Sequence, residues 1–195
     1  MSFRKEKKFI LDPNNLIFFY QWIKENRCEQ LYKNRKINSI YYDNKNFQMY
    51  HDSNEGVLPR KKIRLRFYNN ETDSLLLEKK ISSLEGRFKK SREIQKDERI
   101  KEVGIFDRNY GLCKPVLKVS YLREYYVFEK YRITFDKNIC YSKIYSENTV
   151  KDNYNVIEFK GVDFNEDNLS FSFPYLESRF SKYCRAYEFL LGQRL

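Results

Sequence analysis

The sequence predicts a mainly β protein of the α+β kind, with antiparallel strands closed into a barrel and few helices. Two observations carry this. Strand-like segments recur at short spacing along the 195 residues, against only two convincing helical patterns. Six segments also place charged groups on alternate positions, with apolar or aromatic residues between them: Arg4-Lys5-Glu6-Lys7-Lys8, Arg64-Leu65-Arg66, Glu78-Lys79-Lys80, Tyr121-Leu122-Arg123, Arg132-Ile133-Thr134-Phe135-Asp136 and Glu158-Phe159-Lys160. Residues two apart in a strand share a face. A solvated face usually mixes in Ser, Thr, Asn and Gln, whereas these select Arg, Lys and Glu almost exclusively. The charged faces are therefore expected to meet in one polar interior, which favours a barrel over a sandwich.

Taken in order, residues 3–11 read as a strand ended by Asp12-Pro13, an N-cap residue followed by the proline favoured at the first helical position. A helix then runs to residue 26 with Leu16, Phe19, Tyr20 and Ile23 on its apolar side. Residues 37–43 form a strand and 45–50 a single helical turn. Residues 63–68 and 75–81 make a hairpin across 69–73, with a further strand at 87–91 after the Gly86 turn. Residues 92–108 are polar and charged, an outer helix or a connection. Strands follow at 116–128, 131–136 and 156–160. The final segment, 180–191, has Phe180, Tyr183, Cys184, Tyr187 and Leu191 at helical spacing and is closed by Gly192.

Alternation assigns faces. Arg64, Arg66, Lys80, Arg132, Glu158 and Lys160 should face an enclosed polar cavity, with Leu65, Phe67, Leu77, Ile133 and Phe159 facing away. Arg123 is the exception, because it shares its parity with Leu117, Val119 and Tyr121. It requires a bulge or an outer face that is partly covered.

A chain of this length with 41% hydrophobic residues can bury one core, so residues 1–195 are expected to form a single domain. Lys and Arg number 38 against 27 Asp and Glu, and the net charge of +11 favours anionic partners. No apolar run approaches the ~18 residues of a membrane span and no secretory leader is evident, so a cytoplasmic location is expected. Cys28, Cys113, Cys140 and Cys184 are widely spaced and read as reduced thiols. His51 is the only histidine, which excludes a zinc site built on several histidines; it reads as a surface turn residue.

Arg4-x-Glu6-x-Lys8-Phe9, Tyr41-Tyr42-Asp43, Arg64-x-Arg66-x-Tyr68, Leu77-Glu78-x-Lys80, Gly86 followed by Lys89 and Lys90, Tyr121-x-Arg123, Arg132-x-Thr134-x-Asp136, Glu158-x-Lys160 and Ser181-Lys182-Tyr183 occur in that order. In this the chain resembles the VTC domain, the polyphosphate polymerase domain of the triphosphate tunnel metalloenzyme superfamily, related to CYTH proteins. The resemblance implies a closed tunnel of about eight antiparallel strands with flanking helices. It further implies phosphoryl transfer from a nucleoside triphosphate such as ATP to a growing polyphosphate chain, with Mn²⁺ or Mg²⁺ as cofactor. On the matching positions, Lys8, Arg64, Arg66, Lys80, Arg123, Arg132 and Lys182 would bind phosphate, with Lys89 or Lys90 and Lys160 as further members of the basic set. Glu158 would be the main metal ligand, and Glu6 and Glu78 would assist it or orient the basic residues. The chain departs from the pattern at Asn44, where relatives often carry Thr, and between Arg92 and Pro115, where the segment is short. Neither an SPX domain nor a membrane segment is present, so coupling of synthesis to export is not expected of this chain.

The residue chemistry suits that activity without the family. Arg meets phosphate oxygens with paired donors, carboxylates favour hard divalent ions, and phosphoryl transfer depends on positioning and neutralisation more than on a strong base. No Gly-x-x-x-x-Gly-Lys loop is present, so side chains must hold the phosphates. Two alternatives stay open. The same cage would serve a triphosphatase acting on tripolyphosphate or nucleotide. The 17 Tyr and 16 Phe could instead stack bases in a non-catalytic polyanion or RNA binder, although most alternate with the charged positions and read as wall residues.

Overall fold

The structure, a computed structural model, describes residues 5–69, 74–94, 100–161, 175 and 177–192. The described residues form ten strands: β1 (Lys5–Leu11), β2 (Glu29–Asp43), β3 (Arg60–Tyr68), β4 (Leu75–Ser83), β5 (Gly86–Ile94), β6 (Ile105–Asp107), β7 (Gly111–Phe128), β8 (Tyr131–Lys143), β9 (Thr149–Lys151) and β10 (Asn155–Gly161). The helices are α1 (Leu16–Glu25), α2 (Gln48–Glu55), the short α3 (Ile100–Val103) and α4 (Lys182–Leu190). The hydrogen-bonded order is β1-β10-β8-β7-β2-β3-β4-β5, with β6 beside β7 and β9 beside β8. This is a path with two ends: among the described residues no ladder joins β5 to β1. None of the described helices is long and apolar enough to cross a membrane.

The chain divides into two compact units, each assembled from separate stretches. The first comprises residues 1–35, 121–139 and 151–180. Here β1 pairs with β10, and β10 with β8, both antiparallel. The apolar face carries Phe9, Ile133, Phe135, Ile157 and Phe159 and is covered by α1. That helix begins where expected: Asp12 accepts from the Asn14 amide at 2.9 Å, and a 3-10 turn at Pro13–Asn15 leads into α1. Phe19 is fully buried with its ring centroid 4.6 Å from that of Phe135, and Trp22 lies edge-on to Phe128 and Phe159 at 5.5 and 6.1 Å. The segment at 177–180 runs beside β1, where the Ser178 amide donates to the Lys8 carbonyl at 2.8 Å and Glu177 bridges Phe9.

The second unit comprises residues 36–120, 140–150 and 181–195. The meander β2-β3-β4-β5 is antiparallel throughout. One face buries Ile63, Leu65, Leu75 and Leu77. At the end of β2, Asp43 accepts from the amides of Met49 and Tyr50, both at 3.0 Å, and from the hydroxyl of Tyr183 at 2.5 Å. One buried carboxylate thus starts α2 and anchors α4. Asn44 completes the cap by accepting from the amides of Asn46 and Gln48, each at 3.1 Å, so the departure from Thr keeps a side-chain acceptor at the helix entrance. Tyr50 stacks on Tyr187 of α4 at 3.7 Å.

Several elements differ from the expectation. The first half of β2 is exposed and polar, so it lacks the alternation that marks a half-buried strand. The single turn at 45–50 is instead α2, running to Glu55, with His51 exposed on it rather than in a turn. The polar 92–108 segment contains the end of β5, α3 and β6. Arg4 and most of the 69–73 turn lie outside the described residues. All four cysteines are free.

The apolar packing under α1 should dominate local stability. Phe135→Ala is expected to cost about 3–5 kcal/mol in urea unfolding, whereas Phe106→Ala, at a position 72% exposed, should stay within about 0.5 kcal/mol. Equal losses would contradict this core.

Candidate anion site

Opposite the apolar face of the second unit, register sets the charged residues in rows. Residues directly opposite in an antiparallel pair share a face. Tyr41, Arg64, Glu78 and Ser91 form one such row, and Ser39, Arg66, Leu76 and Glu93 the next. Lys62, Lys80 and Lys89 form a third, a line of three like charges. Glu78 is almost wholly buried and binds Arg64 Nε at 2.7 Å, Lys89 Nζ at 3.0 Å and Arg66 Nη1 at 3.6 Å. Burial alone would raise its pKa; Arg64, Arg66 and Lys89 outweigh that and lower it to about 2. The arginines are held from a second side as well, since Arg64 Nη1 donates to the Tyr41 hydroxyl at 3.1 Å and Arg66 Nε to the Ser39 hydroxyl at 3.4 Å.

The N-terminus of α4 reaches the same strands. Ser181 caps the helix by accepting from the Cys184 amide at 3.2 Å and also accepts from Lys62 Nζ at 2.8 Å. Lys182 follows at the first helical position. Tyr183 then stacks on Tyr41 at 5.0 Å, which ties the Ser181-Lys182-Tyr183 motif to the Tyr41-Tyr42-Asp43 motif. Lys90 differs from Lys89: it stands opposite Lys79, on the other face of β4 and β5.

The first unit has its own charged rows, Glu6-Lys160-Arg132 and Lys8-Glu158-Thr134. Glu158 is buried, with Lys160 Nζ at 3.5 Å and Arg123 Nη2 at 4.0 Å. Burial pushes its pKa up, but Lys160, Lys8, Arg123 and a hydrogen bond shared with Glu6 overcome this and hold it well below the usual range. Lys160 also pairs with Glu6 at 3.2 Å, and Lys8 Nζ donates to the Phe180 carbonyl at 3.1 Å. Arg123 meets the buried Asp136 with two donors, Nε at 2.5 Å and Nη2 at 2.7 Å. Arg132 Nε and Thr134 Oγ1 are buried without a hydrogen-bond partner among the described residues.

Arg123 reaches this face from within β7. The neighbouring Glu124 points the other way, where it accepts from Tyr20 of α1 at 3.1 Å and from Tyr126 at 2.7 Å and pairs with Lys137.

The residues are suited to a divalent ion in a limited way. Glu6 and Glu158 adjoin one another and offer carboxylate oxygens. Glu78 is occupied by three cations and serves to orient them. Among the described residues, no group of three or more His, Cys, Asp or Glu side chains comes together. Two carboxylates that leave the remaining positions to substrate phosphates and water match the way Mg²⁺ is usually held.

Sequence reasoning missed Lys62, Ser39 and Asp136 as participants. Lys62 sits just before the segment read as strand, and Ser39 carries no charge to mark it. Asp136 was visible in its motif, but only the cross-strand pairing shows that it holds Arg123.

Sheet faces lined by arginines and lysines around buried carboxylates match the triphosphate tunnel metalloenzyme type. A family model of the VTC domain matches residues 3–104 and 84–191, and the chain belongs to that family. Among solved structures, an adenylyl cyclase candidate from Hippeastrum with a dominant triphosphatase activity is 15% identical, with 95% of this chain and 96% of that one covered and a TM-score of 0.56. A conserved hypothetical protein from Pyrococcus furiosus is 14% identical over 93% and 99% of the two chains, with a TM-score of 0.56. An adenylate cyclase candidate from Vibrio parahaemolyticus is 16% identical over 87% and 81%, at 0.50. These likenesses are of fold. No curated protein sequence matches significantly.

The lowered pKa of Glu78 has a consequence for acid stability. Its ordinary value of 4.5 falls to about 2 in the folded chain, so its contribution is complete above pH 4.5 and is lost as the pH drops toward 2. Glu78→Gln should remove a loss on the order of 3 kcal/mol from that window in a pH-resolved urea series. An unchanged acid limb would contradict the ion cluster.

Proposed function

We propose that the chain transfers the terminal phosphoryl group of a nucleoside triphosphate such as ATP to the end of a polyphosphate chain, with Mn²⁺ or Mg²⁺ as cofactor. The observation that carries this is the surplus of positive charge on the second unit's sheet, where Arg64, Arg66 and Lys89 surround the single carboxylate of Glu78 and Lys62 and Lys80 stand in line with Lys89. Glu78 fixes its three cations in place but neutralises only one of them. Around Glu158 the cations Lys8, Lys160 and Arg123 are balanced by Glu158, Glu6 and Asp136, and Arg132 adds a positive charge to that face.

In this reading residues 1–195 act as one domain of the tunnel type that the family resemblance implies. Arg64, Arg66, Lys80, Lys89 and Lys182 are the phosphate-binding set of the second unit, and Lys8, Arg123, Arg132 and Lys160 that of the first. Arginine meets phosphate oxygens with paired donors, which suits these positions to a phosphate chain. The phosphate-chain end is already ionised at neutral pH, so the acceptor needs no general base, in keeping with the exposed position of the single histidine. Glu158 with Glu6 would hold the divalent ion, which when bound neutralises charge on the transferred group. Lys90 lies on the opposite face and is not assigned a phosphate.

A second reading, hydrolysis of tripolyphosphate or nucleotide, draws on the triphosphatase activity of the Hippeastrum protein. The same side chains would hold the substrate, with water as acceptor.

The test is incubation with ATP and Mn²⁺ or Mg²⁺, with and without a short polyphosphate primer, the products being resolved by gel. Long chains are expected; free orthophosphate alone would replace transfer by hydrolysis. Glu158→Gln should abolish metal-dependent turnover while leaving tripolyphosphate affinity within a few-fold, because removing a negative charge does not weaken anion binding. Arg64→Ala should weaken tripolyphosphate binding by about 10- to 150-fold. A fully active Glu158→Gln enzyme or a normally binding Arg64→Ala protein would remove that residue from its role.

A further inference from the structure

On the apolar side of the second unit, away from its charged rows, lies a cavity of about 530 Å³. Its floor is that apolar face: Ile40 stands cross-strand from the buried Leu65 and shares its face, and Lys118, turned away from the buried Leu117 and Val119, lies over Phe67 on the same side. Its far wall is the end of β8 and the stretch after it, with Lys143, Ile144, Tyr145 and Glu147. A volume of this size suits a compact organic molecule and exceeds what a bare ion needs.

The lining sets the chemistry of that molecule. Lys118 Nζ lies 5.9 Å over the Phe67 ring, and among the described residues no carboxylate pairs with Lys118 or Lys143. Glu147 is likewise without an ion-pair partner among them. Two positive groups less one negative leave a net charge of +1 on the wall. Ile40, Pro115 and Ile144 supply apolar surface, and Tyr145 is 91% exposed with no aromatic partner among the described residues.

We infer that this cavity binds a small organic monoanion with a flat apolar body, one carboxylate or sulfonate meeting Lys118 and Lys143 while the body lies against Ile40, Pro115 and Ile144 beneath Tyr145. A phosphate chain is disfavoured here on two counts: it has no apolar body, and Glu147 repels multiple negative charge. The site is independent of the phosphoryl-transfer reading and differs from the charged rows in the sign balance of its wall.

The probe is 1-anilinonaphthalene-8-sulfonate, a flat aromatic monoanion, titrated into the full chain in saturating tripolyphosphate so that the basic rows are filled. Saturable one-site fluorescence enhancement is expected, unchanged in Arg64→Ala. Lys118→Glu should weaken it at least about 10-fold through reversal of a charge contact, and Tyr145→Ala by a smaller factor, with parental circular dichroism and Tm. If Lys118→Glu does not fold, Lys143→Glu, at an exposed position, carries the same test. Parental binding in the folded lysine variants, or absence of saturable binding, would each overturn the inference.

Discussion

A carboxylate removed from water on a sheet face must be met by cations, and that constraint organises both units. Glu78 and Glu158 are buried, and each stays ionised because basic side chains from its own and neighbouring strands converge on it. Register does the converging. Glu78 lies directly opposite Arg64, and Glu158 directly opposite Lys8, so pairing the strands correctly assembles the clusters without any loop. The three cations around Glu78 leave a surplus, and Lys62 and Lys80, in line with Lys89, add to it. The folded chain therefore stores like-charge repulsion, which a bound polyanion would relieve under the proposed function.

The helices serve this arrangement from outside. In the first unit α1 covers the apolar face, so the alternation of β8 and β10 has a reason on both sides: Phe135 and Phe159 pack into the core while Asp136 and Glu158 turn away from it. In the second unit Asp43 binds both the start of α2 and the Tyr183 hydroxyl of α4. Burial raises the pKa of both partners in that bond, which suits a hydrogen-bonded anchor that carries Ser181 to Lys62. The two sequence triplets that flank Asp43 and Tyr183 are thus one device, visible only after folding.

Much of this was legible in the sequence because period-2 alternation of charge survives directly as face assignment. Arg64, Arg66 and Lys80 do share one face, and Leu65 and Leu77 the other; Arg132, Glu158 and Lys160 divide from Ile133 and Phe159 in the same way. Arg123 was the residue that parity could not settle, since it shares its parity with Leu117, Val119 and Tyr121, which are buried apolar or aromatic residues. Elements without alternation were not legible. The exposed first half of β2 has no apolar stripe, and α2 is set by Asp43 and Asn44, whose capping role depends on where the chain turns after β2. The choice between Lys89 and Lys90 likewise rested on a one-residue register in β5, which composition does not encode.

The central claim, that buried carboxylates preorganise a surplus of cations for a polyanion, is tested most directly by the melting temperature in tripolyphosphate at two salt concentrations. A ligand bound only by the folded chain stabilises it by mass action, and relief of repulsion adds most where screening is weakest. The account predicts a clear rise in Tm at low ionic strength that shrinks at high ionic strength. No rise at saturating tripolyphosphate in low salt would contradict it.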